Sequence, residues 1–315
     1  MTHETIRFLG LSKRFGETVA VDNFSLDVYD REIMGFLGPN GAGKTTAIMV
    51  MATVYRPTSG TVEVEGYDVT TMPEKVRGFL GICFQDPKFD NRLSIQSVLE
   101  WHAKVTGVSM DQRTKRIEEV LKRIGLWEDR SKKGLTLSGG MSKKVENAKV
   151  FIQKPKIAVF DEPTAFLDVP SRLTIWEMIR ELRDEGSTVI LATNMMDEAD
   201  RLSDRVAIMD RGKLIKAGTP SELKQSIRGG EVLVVKSKRP DEEVIEEIRQ
   251  IPEVVEASYL EGAGVRIYLN QTGRLLQQIL AIFHNHRIGV ENVTISQPTL
   301  EDVFLRYTGR ALDGK

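Results

Sequence analysis

The chain is nearly devoid of cysteine. Its single Cys83 excludes an intramolecular disulfide framework, so 315 residues must be held by a buried core, and a lone thiol fits a reducing compartment. An excess of charge of one sign is missing too. The 44 Lys and Arg nearly balance 45 Asp and Glu, and a formal net charge of -1 argues against nucleic-acid binding driven by bulk charge. No apolar run approaches the roughly 18 residues of a membrane span. The opening MTHETIRFLG lacks the apolar segment of a signal peptide. Histidine is scarce as well: of four, His284 and His286 lie two apart near an expected helix end, without a third ligand, and read as surface groups. These absences lead to the expectation of a cytoplasmic protein that reaches a membrane only through a partner.

What is present is ordinary for a globular protein: 41% hydrophobic and 28% charged residues, in a chain longer than one average domain. One large and one small domain are expected, at 1-226 and 230-315, with the Gly229-Gly230 pair as the boundary. TIRFLGLSKRF, ETVAVDNFSLDVY and GTVEVEGYDV are short β-branched stretches, expected as strands of an antiparallel region. Apolar residues at three-to-four spacing predict a helical insertion over about 87-150. KIAVFDEPT and STVILATN read as strands of a covered parallel sheet. After the boundary, the order βαββαβ predicts a small ferredoxin-like α+β domain. Its closing helix TLEDVFLRYTG carries Thr299 as N-cap and Asp302 at the third helical position.

Three motifs carry chemistry. The first is GPNGAGKTT, whose Gly38, Gly43, Lys44 and Thr45 fill G-x-x-x-x-G-K-[ST] between a strand and a helix. Backbone N–H groups of such a loop cradle phosphates, Lys44 neutralises β- and γ-phosphate charge, and Thr45 offers its hydroxyl to Mg²⁺. The whole loop, Gly38, Pro39, Asn40, Gly41, Ala42, Gly43, Lys44, Thr45 and Thr46, is the expected ATP-binding segment. The second motif ends an apolar strand on Asp161 and Glu162, one acid suited to hold Mg²⁺ and the next to polarise a water. The third is LSGG, in which Ser138, Gly139 and Gly140 open a helix with Met141, Val145, Ala148 and Ile152 as its expected buried stripe. A second anion cradle in one chain makes sense if it serves a nucleotide bound elsewhere.

In this order and spacing, GPNGAGKTT, Gln85 in GICFQDP, LSGGM, IAVFDEPT and FLD at 166-168 resemble the ATP-binding subunit of an ABC transporter, over roughly residues 4-225. The tail ending ISQPTLEDVFLRYTG is similar to the C-terminal extension found with ABC-2-type exporters of the daunorubicin-resistance type. The resemblance implies an α/β P-loop NTPase core of the ABC type, with an antiparallel β subdomain and a helical insertion, followed by the small α+β domain. It implies an ATPase acting on ATP with Mg²⁺, held at the inner face of the cell membrane by an integral membrane transporter subunit. It also implies a head-to-tail dimer with a second ATP-binding subunit, homotypic or heterotypic, in which Ser138, Gly139 and Gly140 face the partner's ATP; no nucleic acid is expected. By the same resemblance Phe15 would stack on adenine and Gln85 would bind Mg²⁺ and the attacking water. Asp161 would hold the metal with Thr45, Glu162 would be the general base, and Asp168 would make a cross-subunit contact. Trp101 and Phe89 are candidates to line the groove that receives a membrane-domain helix, with core packing the alternative for Trp101.

Two positions depart from the family pattern. Phe166 replaces a residue that is usually Gly; interface contact and burial within its own subunit are the two readings. Asn194 ends a strand where a histidine usually contacts the γ-phosphate. Its amide can donate to that phosphate, yet Asn is also a favoured N-cap, with Asp197 at the capping-box spacing. Alternative functions are a nucleotide-gated regulator with vestigial hydrolysis and a DNA-maintenance ATPase. Intact Lys44, Gln85 and Glu162 weigh against the first. Against the second, only about 95 residues without sustained heptads separate the phosphate loop from LSGG, too few for a long coiled coil.

Overall fold

The computed structural model describes residues 4-227, 229-237, 242-260, 264-270 and 272-309. Residues 1-3 of the opening segment, and 241, 261 and 262 at the ends of an expected helix and strand, lie outside them. The chain divides into two compact units, one up to Thr219 and one from Pro220.

The first unit opens with the long hairpin β1 (Glu4–Phe15) and β2 (Thr18–Tyr29), then β3 (Ile33–Leu37) and α1 (Lys44–Met51). β4 (Ser59–Val64) and β5 (Tyr67–Asp68) join the hairpin in an antiparallel sheet ordered β2-β1-β4-β5. α2 (Pro73–Phe79) and β6 (Leu80–Cys83) lead to the helical insertion: α3 (Ile95–Val105), α4 (Met110–Arg123) and α5 (Gly139–Gln153). β7 (Ile157–Asp161), α6 (Val169–Asp184), β8 (Thr188–Thr193), α7 (Met196–Leu202), β9 (Arg205–Asp210) and β10 (Lys213–Gly218) complete the unit. The central sheet runs β10-β9-β3-β8-β7-β6, parallel except for the β9–β10 pair.

Burial explains the layers. β3, β7 and β8 are buried at every position, as a sheet covered on both faces requires. One core joins the antiparallel sheet, the central sheet and α1, with Phe8, Phe24 and Phe36 at ring separations of 5.2 to 5.9 Å. The other joins the central sheet to α3, α4, α5 and α6. Because β3, β8 and β7 are parallel neighbours, their carboxyl ends share one sheet edge. The phosphate-loop motif, Asn194 and the Asp161-Glu162 pair thereby meet where open α/β sheets bind ligands.

α5 corrects one expectation. Val145, Ala148 and Ile152 are buried and Met141 partly so, but Lys143, Glu146, Asn147 and Lys149 are buried as well. The helix is enclosed almost all round rather than on one stripe.

The second unit contains α8 (Pro220–Gln225), β11 (Glu231–Ser237), α9 (Glu242–Arg249), β12 (Val254–Leu260), β13 (Gly264–Leu269), α10 (Thr272–Asn285), β14 (Val290–Ser296) and α11 (Leu300–Thr308). Its antiparallel sheet is ordered β12-β13-β11-β14, the ferredoxin-like arrangement. α8 belongs to this unit, whereas the sequence reading kept 220-226 with the large domain. α9 and α10 bury Val244, Ile248, Ile279 and Phe283 against Leu233, Val235 and Ile267. α11 starts with a capping box: the Asp302 N–H donates to Thr299 Oγ1 at 3.3 Å, and the Thr299 N–H to Asp302 Oδ2 at 2.8 Å. Asp302 also accepts from the Tyr268 hydroxyl at 3.0 Å, joining α11 to β13. His286 pairs with Glu247 at 2.9 Å.

Candidate nucleotide site

The phosphate loop leaves β3 and turns into α1 at Gly43, whose φ of +102° favours glycine. A Cβ there would lie 2.5 Å from the Ala20 carbonyl oxygen, and one on Gly38 would lie 2.2 Å from that of Met209. The loop therefore owes both glycines to close backbone approach. Lys44 is buried and donates to the carbonyls of Gly38 at 2.5 Å and Pro39 at 3.1 Å. Burial pulls its pKa below the usual lysine value, opposed by the charges of Glu162 and Asp161.

Next to it, Thr45 Oγ1 donates to Asp161 Oδ2 at 2.8 Å, while Asp161 Oδ1 is buried without a hydrogen-bond partner. Burial raises the Asp161 pKa, and the Thr45 bond works the other way. A carboxylate oxygen left bare beside a hydroxyl is a donor set that suits a hard cation. Glu162 adopts φ +50°, held by its N–H donating to the Ala192 carbonyl of β8 at 2.8 Å. Its Oε2 accepts from Gln85 Nε2 at 3.2 Å. A cavity of about 340 Å³ is lined by Thr18, Val19, Ala20, Asn40, Gly41, Ala42, Gly43, Lys44, Thr45, Thr46, Gln85 and Glu162.

Other expected residues stand outside that lining. Phe15 ends β1, 44% exposed, edge-on to Tyr55 at 5.2 Å and with Lys13 Nζ 4.8 Å from its ring centre. Tyr55 carried no sequence signal. Ser138 caps α5, accepting from the Met141 N–H at 3.2 Å. Asp168 caps α6, accepting from the Ser171 N–H at 3.0 Å, and its bonds with Ser171 hold its carboxyl below the usual range. Between them Phe166 is 84% exposed at φ +64°, which removes the reading of burial within its own subunit. A Cβ on Gly140 would lie 2.8 Å from the Phe166 carbonyl oxygen, so this loop and the LSGG segment are packed together.

Asn194 does not cap α7. The helix begins at Met196 with Met195 as N-cap and no side-chain cap bond, and Asp197 pairs with Arg201 at 2.6 Å. The Thr193 hydroxyl accepts the Met195 N–H at 2.9 Å and takes over the turn. Asn194 directly follows Thr193, whose carbonyl accepts from the Gly38 N–H at 3.4 Å. α7 is anchored by the buried Glu198, which accepts from Thr164 Oγ1 at 2.7 Å and Trp176 Nε1 at 2.8 Å. The sequence reading missed Glu198, Lys143 and Glu146, since charges on a helix ordinarily mark a wet face. Cys83 is a core residue, its thiol pushed up to about 12 by burial.

Comparison with known proteins gives two family matches: ABC transporter over residues 21–165, and ATP-binding protein DrrA1-3-like, C-terminal domain, over 218–308. The daunorubicin/doxorubicin resistance ATP-binding protein DrrA of Streptomyces peucetius is 34% identical, over 97% of this chain and 93% of that one. The doxorubicin resistance ATP-binding protein DrrA of Mycobacterium tuberculosis is 31% identical, over 95% and 92%. Among solved structures, cbiO1 of Clostridium perfringens, part of the ABC transporter complex cbiONQ, aligns with a TM-score of 0.61 at 27% identity, covering 79% of this chain and 96% of that one. The post-hydrolysis dimer of the ATP-binding cassette MJ0796 with ADP and Pi aligns with a TM-score of 0.63 at 24% identity, over 68% and 98%, a likeness of fold.

Proposed function

The chain belongs to the ABC transporter family, among its DrrA-like ATP-binding proteins, and from that premise we propose how its residues bind and hydrolyse ATP and drive a membrane partner. The chain is an ATPase subunit. The observation that carries the site reading is the 2.8 Å bond between Thr45 and Asp161, which brings the phosphate loop and the Asp-Glu strand into one constellation.

The loop amides from Gly38 to Thr46 and the Lys44 ammonium receive the phosphates, and the Phe15 face, beside Tyr55, takes the adenine. Thr45 and Asp161, with Gln85, would hold Mg²⁺, and the partnerless Asp161 Oδ1 supports that assignment. A cation bound there would supply positive charge to the phosphates. Glu162 accepts the proton of the attacking water, and Gln85, already 3.2 Å from Glu162, orients that water. Asn194 donates its amide to the γ-phosphate from the end of β8. Removing one such donor costs on the order of a hundredfold in rate.

Ser138, Gly139 and Gly140 are exposed or half-exposed and line no part of their own chain's cavity. This supports a head-to-tail dimer in which they meet the nucleotide of a second ATP-binding subunit, with Asp168 and Phe166 on the same face. A cavity of about 400 Å³ lined by Phe89, Leu93, Val98, Trp101 and His102 supports docking of a membrane subunit. Among the described residues no helix is long and apolar enough to cross a membrane; that subunit would hold the chain at the inner face of the membrane. Export is the direction of transport that fits the resistance named in the DrrA relatives.

The test is Glu162→Gln. Its expected outcome is a fall in kcat of about 100-fold or more with ATP binding retained and an ATP-bound dimer accumulating on size exclusion. Wild-type turnover in that variant would sink the general-base assignment.

A further inference from the structure

α5 carries Lys143, Glu146 and Lys149 at steps of three, on one face of the helix that Ser138-Gly139-Gly140 opens. Their exposures are 1%, 0% and 6%. Three charges inside a helical layer are costly unless fully engaged. All three are engaged with the same short backbone segment, Phe84 to Lys88, which contains Gln85.

Lys143 Nζ donates to the carbonyls of Phe84 at 2.9 Å, Gln85 at 3.0 Å and Asp161 at 3.0 Å, so all three ammonium hydrogens have acceptors. Glu146 accepts from the Phe84 N–H at 3.4 Å and the Lys88 N–H at 3.1 Å. Lys149 donates to the Lys88 carbonyl at 3.3 Å and pairs with Glu146 at 2.7 Å. The segment around Gln85 thus hangs on α5 by its backbone while the Gln85 side chain reaches Glu162.

The place where the Lys143 ammonium of α5 meets the central sheet gives this clamp its meaning. The parallel β6–β7 pairing ends at Cys83 and Phe160. Beyond that last pair the two strands diverge into Phe84-Gln85 on one side and Asp161-Glu162 on the other. The Lys143 ammonium bridges their carbonyls where the ladder stops.

We propose that Lys143 is a positioning residue for hydrolysis: its ammonium acts as an added rung between β6 and β7 and sets where Gln85 stands relative to Glu162. Because Lys143 stands on the helix that Ser138 caps, the same bonds tie the Gln85 segment to the LSGG segment. The proposal rests on the reading of Glu162 and Gln85 as the groups that act on water. With its three ammonium hydrogens on backbone carbonyls, Lys143 acts through Gln85 and Glu162.

The experiment compares Lys143→Met and Lys143→Gln with wild type in the full chain. It measures kcat at saturating Mg-ATP and the Kd for a fluorescent, non-hydrolysed ATP analogue. The expected result for Met is a kcat lower by about 10- to 100-fold, as a displaced reacting group would give, with Kd changed by about threefold or less. Gln retains donors and loses less. Hydrogen exchange at the Phe84 and Lys88 amides rises in both variants. A folded variant with wild-type kcat overturns the proposal, as does a Kd that weakens in step with kcat. Should Met fail to fold, the same two numbers for Gln decide. If Glu162→Gln is inactive while both Lys143 variants turn over normally, only the clamp falls; if Glu162→Gln is fully active, both readings fall.

Discussion

At the scale of the residue, the informative positions are those where local preference is violated. Phe166 has a left-handed φ of +64° and leaves 84% of its surface to solvent, so its ring repays little of the backbone cost within the chain. A left-handed L-residue costs about 1–2 kcal/mol, and glycine gives back part of that through its freer unfolded chain. Phe166→Gly is therefore expected to stabilise the isolated chain by about 1 kcal/mol in urea unfolding. Glu162 has the same conformation, at φ +50°, where strain accompanies the general-base role proposed for it. The oddity of Phe166 was visible in the sequence as a family departure. Its exposure was not, because a Phe in an apolar-flanked loop reads equally well as core. Asn194 shows the opposite limit: its capping propensity was real, but the neighbouring Thr193 hydroxyl reached the Met195 N–H first.

Elements were legible wherever their signals are local. The α11 capping box needs only Thr299 and Asp302 three apart, and both reciprocal bonds are present. Thr299→Ala is expected to destabilise the second unit by about 1 kcal/mol, seen as a lower midpoint of its unfolding transition, with ATP binding unchanged. α5 is the counterexample. Its apolar positions were read from periodicity, yet Lys143, Glu146 and Lys149 look in sequence like any solvated face. Their burial depends on β6, β7 and the Gln85 segment closing over them, which are contacts across 58 to 62 residues and 18 residues of chain. No propensity scale contains that information.

At the scale of the whole molecule, each unit has its own core, one pair of cores below Thr219 and one above Pro220 built on Leu233, Ile267 and Phe283. Residues 1-219 expressed alone are expected to fold and to bind ATP within about threefold of the full-chain Kd, measured by fluorescence titration. The sequence by itself determined the phosphate loop, the Asp161-Glu162 pair, the LSGG segment and the βαββαβ order of the second unit, since glycine freedom, apolar periodicity and charge placement act over a few residues. Only the tertiary structure decided that Thr45 meets Asp161, that Gln85 reaches Glu162, and that a buried lysine bridges the strands carrying them. Those contacts are fixed by which strands lie side by side in the central sheet, and strand order is set by packing of the entire chain rather than by any stretch of it.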